Sequence, residues 1–404
     1  MTDSLHAPGV GTLLAPSAGR WSLLRWYVSS GTLSVPQAAG PVAFALVTLG
    51  LSGDPSQGAA IMVAMTLAQV LGAIPITRLG KGLSAVTYLR LLIGLRTVAL
   101  ITLAGLAASG TALPWLIAAA VVAGSVNGAA FGYLRALLNA LTPAEGLPRA
   151  LGISATLNEV TYVLAPVVAS GLGVVSPAFA VLAIAILGAT PALLVPSVNS
   201  APAVEVAHGS GSVLTPAIAL WLVCSAAGGA TVAAVEIGAV ALALRFGFEP
   251  ALAIVFTVPL CLASIAGGIW VSVRNREPSR RLVTLQLAVM ATGAGLAAAQ
   301  VSTVATVAGA VLIGVVLAPL GTFYSLMLDA LAPPHRRAEA FALLRTANAV
   351  GVILAGLALT ALPLSATLWL VTGMMALAGL TVAGAGRLGL EGRSAEAREP
   401  TAAE

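Results

Sequence analysis

Runs of about 20 mostly apolar residues, the length that crosses a bilayer as a helix, recur along this chain and leave little else. Breaking the sequence at its charges, prolines and glycines gives twelve, at about 28–50, 57–77, 86–108, 113–136, 151–173, 177–197, 216–243, 250–273, 282–299, 303–327, 338–362 and 366–386. Only 8% of the 404 residues are charged and 59% are hydrophobic, where a soluble domain carries about 25% charge. With a mean hydropathy of +1.01 the chain lacks the polar surface to face water. The expected class is an all-α integral membrane protein with the bilayer as its partner. A net charge of +5 does not make it a nucleic-acid binder, because the basic residues sit in small groups between apolar runs. Cys224 and Cys261 lie inside such runs, so no disulfide framework is implied. The first twenty residues contain Asp3, His6, Pro8 and Pro16 and no apolar core, so the first run reads as a retained span rather than a secretory signal.

The basic residues set the topology. With the N-terminus inside, the inner segments carry Arg20, Arg25, Arg78, Lys81, Arg149, Arg274, Arg276, Arg280, Arg281, Arg336, Arg337, Arg387, Arg393 and Arg398, and the outer ones only Arg245. The positive-inside rule then puts both termini in the cytoplasm of a cell with a plasma (inner) membrane, and an even number of spans follows.

One stretch repeats. Shifting residues 135–171 by 190 positions matches Leu138, Ala140, Leu141 and Pro143 to Leu328, Ala330, Leu331 and Pro333. It also matches Ala150, Thr156, Asn158, Val160, Leu164 and Ala165 to Ala340, Thr346, Asn348, Val350, Leu354 and Ala355. The Gly-, Ser- and Pro-containing segment between the sixth and seventh runs reads as a linker. The expected organisation is an N-terminal segment 1–27, a six-helix bundle 28–197, a cytoplasmic linker 198–213, a second six-helix bundle 214–388 and a disordered tail 389–404. Two pseudo-symmetric bundles around a midplane site are one known transporter design.

This layout resembles the major facilitator superfamily over about residues 20–388. Gly72-Ala-Ile-Pro-Ile-Thr-Arg78-Leu-Gly80-Lys81 is similar to the family's Gly-x-x-x-Asp-Arg-x-Gly-Arg motif, with Thr77 in place of Asp and the leading Gly displaced by one. Gly267-Gly268 followed by Arg274 and Arg276 is a degenerate counterpart. Val126-Asn127-Gly128, Arg135, Asn158-Glu159 and Ala165-Pro166 resemble the fourth and fifth helices of uncharacterised actinobacterial members regarded as drug or natural-product exporters. The helix-4 Arg of many proton-driven drug exporters is missing here, and Gly124 stands at its place. The resemblance implies the superfamily's twelve-helix fold, alternating access, and proton-coupled export of a small hydrophobic or amphipathic compound by a monomer.

Charge inside a span is costly, at least about 2.5–3.5 kcal/mol at the centre, so such residues mark candidate sites. Glu159, with Tyr162 and Pro166 on its helical face, is a candidate proton carrier; the competing reading is a structural ion pair with Arg135. Asn158 recurs as Asn348, which favours a packing role for both. Glu159 becomes Ala349 and Ala155 becomes Arg345, so the unmatched charges are the better functional candidates. Arg345 could also snorkel to the cytoplasmic interface. Glu236, after a possible bend at Gly228-Gly229, is a second candidate for a proton or a cationic substrate, against a pairing with Arg245. Gln37, Asn127 and Tyr324 would line the same cavity or serve packing. Arg78, Gly80 and Lys81 read as a cytoplasmic gate, which Arg90, Arg96 and Asp329 could join. No phosphate-binding loop or catalytic constellation is readable, so no enzyme is expected. His6, His208 and His335 are isolated, so neither metal nor cofactor is expected either. Uptake of a small metabolite or sugar, and a non-transporting scaffold or sensor, stay open as alternatives.

Overall fold

The structure, a computed structural model, describes residues 20–54, 56–80, 82–196, 213–276 and 278–387. The expected linker, apart from Val213, and the tail fall outside these residues, as does Lys81. Among the described residues every regular element is a helix, and twelve are long and apolar enough to cross a membrane. These are span 1 (Arg20–Ser52), span 2 (Gln57–Leu79), span 3 (Ala85–Ala108), span 4 (Leu113–Leu141), span 5 (Ala144–Val175) and span 6 (Pro177–Leu194). The second half has span 7 (Pro216–Arg245), span 8 (Ile254–Arg274), span 9 (Arg280–Ala299), span 10 (Thr303–Leu331), span 11 (Pro334–Ala361) and span 12 (Leu364–Gly384). In lipid every backbone polar group must be satisfied internally, and a helix does this within its own segment. We call the face where the described chain starts and ends the basal face, and the other the distal face.

Helix starts are marked by hydroxyl caps. Ser84, Thr215, Ser279 and Ser302 each accept a hydrogen bond from the backbone N–H three residues on. Span 1 begins at Arg20, well before the expected edge near residue 28. It is interrupted at Ser34, and span 4 at Val126. Span 7, where a bend at Gly228-Gly229 was expected, is one continuous helix.

Each half has its own core, and the halves echo each other in space. Trp26 donates through Nε1 to Leu134 O at 2.8 Å, while Trp221 packs edge-on against Phe323 at 4.9 Å. Ser34 donates to Asn158 Oδ1 at 2.8 Å, and Asn348 packs directly on Gly229. Gly31 faces Thr161, and Gly351 faces Ala226. First-span residues therefore correspond at an offset of 195 (Trp26 with Trp221, Ser34 with Gly229), five more than in the fourth and fifth spans.

Arg96, which could have joined the cytoplasmic gate, does not. Span 3 is continuous and Arg96 is buried in the first half. Its guanidinium donates to Leu33 O at 2.9 Å, Asn127 Oδ1 at 2.9 Å and Gly188 O at 2.6 Å. Leu33 O is available because the N–H of Gln37, four residues on, goes to Ser34 O instead. One side chain thus satisfies the interruption of span 1 and ties spans 1, 4 and 6 to span 3.

Candidate functional site

The halves meet near the basal face along two pseudo-equivalent seams, spans 2 and 4 against 11, and span 5 against 8. At the first, Arg78 at the end of span 2 grips Glu339 at the start of span 11, with Nη2 at 2.6 Å and Nε at 3.1 Å from Oε1. Arg336 covers the other carboxylate oxygen from 3.2 Å. Alongside, Arg337 pairs with Asp329 at 3.1 Å, and Asn139 donates to the same Asp329 oxygen. Asn139 and Asp329 are repeat-related positions, so the two halves touch there near their pseudo-symmetry axis.

The end of span 2 is held by two tyrosines. Tyr88 donates to Ile76 O at 2.5 Å and Tyr133 to Thr77 O at 3.0 Å. Gly80 fits beneath both rings, where any side chain would collide. Thr77, in the position of the family's Asp, is buried and bonds back to Ala73 O at 2.6 Å.

The second seam uses different chemistry around Arg149, the position equivalent to Glu339. Asn275 ends span 8 in the left-handed region, φ 42°, a conformation that Asn tolerates better than most residues. Its Oδ1 accepts the backbone N–H of Arg149 at 2.9 Å. Arg149 lies in the first turn of span 5, so one half caps a helix of the other. Above this cap, Gly152 packs on Gly268 and Ser272, and Thr156 on Gly268. Gly132 of span 4 lies equally close to Ala338 and Ala342 of span 11.

Glu159 lies one turn beyond Thr156, about 18 Å along the helix from Leu147 at 1.5 Å per residue. Ser264 of span 8 faces it, and Glu236 of span 7 lies within electrostatic range. Cys261 of span 8 lies within electrostatic range of both carboxyls. Glu236 is exposed on span 7. Among the described residues neither carboxyl has an ion-pair partner.

Arg135 does not pair with Glu159. It is buried, bonds Asn139 at 3.2 Å and lies 4.4 Å from the Phe341 ring centre in the other half. Its Nε and Nη2 have no hydrogen-bond partner. The expected reach failed because span 5 starts earlier than its hydropathy shows, at Leu147 after a short turn, which carries Glu159 away from the basal end of span 4. Arg345 does not snorkel. It crosses between halves, donating to Tyr162 Oη at 3.0 Å and stacking 5.4 Å from Phe131.

Asn127 is no cavity residue. It is buried between Arg96 and Gln69, donating to Gln69 Oε1 at 2.6 Å. Tyr324 is likewise buried in the second half beside Trp221 and Phe323. Gln37 is part-buried and donates weakly to Thr66 at 3.3 Å. Arg90 donates to Val195 O at 3.3 Å, away from the gate. No pairing joins Glu236 to Arg245 among the described residues. Gly124 lies against the backbone of Met65, so no side chain fits where the exporters' Arg would stand.

Glu339, the acid gripped by Arg78 at the first seam, is absent from the candidates that the sequence pointed to. Its signal was the repeat itself, since it is the charge-reversed counterpart of Arg149.

Twelve spans in two pseudo-symmetric halves, joined along seams at one face with ionisable residues between them, define a membrane transporter fold. The chain belongs to the Major Facilitator Superfamily, whose profile matches residues 28–356. Among curated proteins no sequence matches it. Among solved structures it is similar to a bacterial homologue of the iron transporter ferroportin in an outward-facing state, with TM-score 0.76, 15% identity, and coverage of 91% of this chain and 99% of that one. It is also similar to the E. coli fucose:proton symporter FucP (TM-score 0.69, 12% identity, 90% and 98% covered). The proton:xylose symporter XylE aligns with TM-score 0.71 at 12% identity, over 89% and 94% of the two chains.

Proposed function

We propose that the protein is a secondary active transporter of the plasma membrane, working by alternating access as a monomer and exporting a small hydrophobic or amphipathic compound against protons. The observation that carries this reading is the placement of Glu159 and Glu236. They come from opposite halves, lie beyond the basal contacts, and have no ion-pair partner among the described residues. A carboxyl so placed gains or loses a proton as the halves rock and its surroundings exchange protein for water. Basic residues gather on the basal face, which supports a cytoplasmic assignment for it. The seams then close the cytoplasmic side, and Glu159 and Glu236 lie on the far side of them. Export rests on the resemblance of spans 4 and 5 to exporters; the proton:sugar symporters of the same fold keep uptake as the competing direction.

The test uses inside-out vesicles and ethidium as an amphipathic probe. An interior-acid pH gradient drives dye accumulation by the wild type. Glu159→Gln reaches the membrane in equal amount but accumulates no more than vesicles lacking the protein. Equal gradient-driven accumulation by Glu159→Gln removes the proton role, and accumulation driven only by an interior-alkaline gradient assigns uptake.

A further inference from the structure

Away from the carboxyls, the basal ends of spans 8, 9 and 10 enclose a cavity of about 120 Å³. Two buried polar side chains line it, Gln286 at 6% and Thr322 at 4% exposure. Gln286 Oε1 and Thr322 Oγ1 have no hydrogen-bond partner. Buried polar atoms seldom stay unpaired, so two in one cavity point to an occupant. Arg274 and Arg276 stand exposed in its lining, and neither pairs with a carboxylate among the described residues. Arg274 lies 5.1 Å from the Trp270 ring centre, which fixes its position. The start of span 9, at Ser279 and Leu282, adds the positive end of a helix twenty residues long.

We propose that this cavity holds the headgroup of an anionic glycerophospholipid, phosphatidylglycerol, from the leaflet at the basal face. Arg274 and Arg276 take the phosphate. Gln286 Oε1 can only accept, so the ligand must bring a donor as well, and the glycerol hydroxyls supply it to Gln286 and Thr322. Phosphatidylethanolamine also brings a donor, but its ammonium cancels the net negative charge that Arg274 and Arg276 favour. The cavity is of a size for a headgroup and leaves the acyl chains outside. The chains have a place outside: Ile269, Val273 and Leu285 are exposed apolar residues on spans 8 and 9, and Trp270 is a residue type that favours the membrane interface. Inorganic phosphate would leave that flank uncovered.

Native mass spectrometry of the purified chain tests this with phosphatidylglycerol and phosphatidylethanolamine of matched acyl chains. A parallel thermal-shift series adds inorganic phosphate alone. The wild type retains phosphatidylglycerol about tenfold better, and the preference collapses in Arg274→Gln/Arg276→Gln. Thr322→Val, nearly isosteric and expected to fold, weakens retention severalfold and controls for misfolding of the arginine variant. Equal retention of the two lipids overturns the proposal, as does phosphatidylglycerol binding unchanged in both variants. Stabilisation by inorganic phosphate as large as that by the lipid assigns a free-anion site and overturns it too.

Discussion

At the scale of single residues, two arginines within the spans behave differently. Arg96 is buried and bonds three acceptors through its two terminal nitrogens, which gives it a structural role. Removing it strands Leu33 O and Asn127 Oδ1, and each buried group left unpaired costs about 1–3 kcal/mol. Arg96→Met is therefore expected to lower the unfolding temperature in detergent markedly, and a melting curve matching the wild type would refute the assignment. Arg345 instead has a single hydroxyl partner across the interface. Tyr162→Phe removes that partner and keeps the ring. It should leave stability within about 1 kcal/mol while changing transport rate, read as ethidium flux per molecule. The sequence could not separate these two arginines, because hydropathy ranks both as costly insertions and says nothing of which acceptors a fold supplies. Arg96 is satisfied by carbonyls of spans 1 and 6, brought together only by tertiary packing.

At the scale of elements, the closure of the basal face is built from helix ends. Span 11 is held through the Glu339 side chain and span 5 through a cap donated by Asn275. Both seams then run over glycines. A Cβ on Gly268 would press on Gly152 O at 3.2 Å and Thr156 N at 3.3 Å, backbone that cannot yield. Gly268→Val is expected to wedge span 8 off span 5 and expose the basal half of the interface, read as faster alkylation of a cysteine placed at Thr156. Unchanged alkylation would show that the seam is not tight. The twelve helices were legible because lipid makes hydropathy nearly sufficient to find them. Their ends were not. Span 5 begins with Leu147-Pro148-Arg149, whose Pro and charge looked like loop, and that difference displaced the expected Arg135–Glu159 pairing.

At the scale of the whole molecule, the duplication explains both what was read and what was missed. Asn158 and Asn348 each pack against the first span of their half. The 195-residue offset of Trp26 and Trp221 lay in the sequence but was hidden by five residues of slippage between the spans. The differences in charge sit where the halves diverge. The Arg78–Glu339 pair answers the Asn275–Arg149 cap, and Glu159 answers Ala349. Two rigid halves whose basal contacts are this specific should exchange between two arrangements rather than deform continuously. Weakening one contact then shifts a population, and about 1.4 kcal/mol is a tenfold shift in the equilibrium.

The most direct test of that account measures both faces at once. Spin labels at Ala144 and His335 report the basal separation, and labels at Ser52 and Arg245 the distal one, in a chain whose Cys224 and Cys261 are replaced by serine. Double electron–electron resonance should show a short, narrow basal distance in the otherwise unaltered protein. Glu339→Gln should lengthen the basal distance and shorten the distal one in the same fraction of molecules. Distances that stay fixed in Glu339→Gln, or that lengthen together at both faces, would contradict alternating access between two halves gated at Glu339.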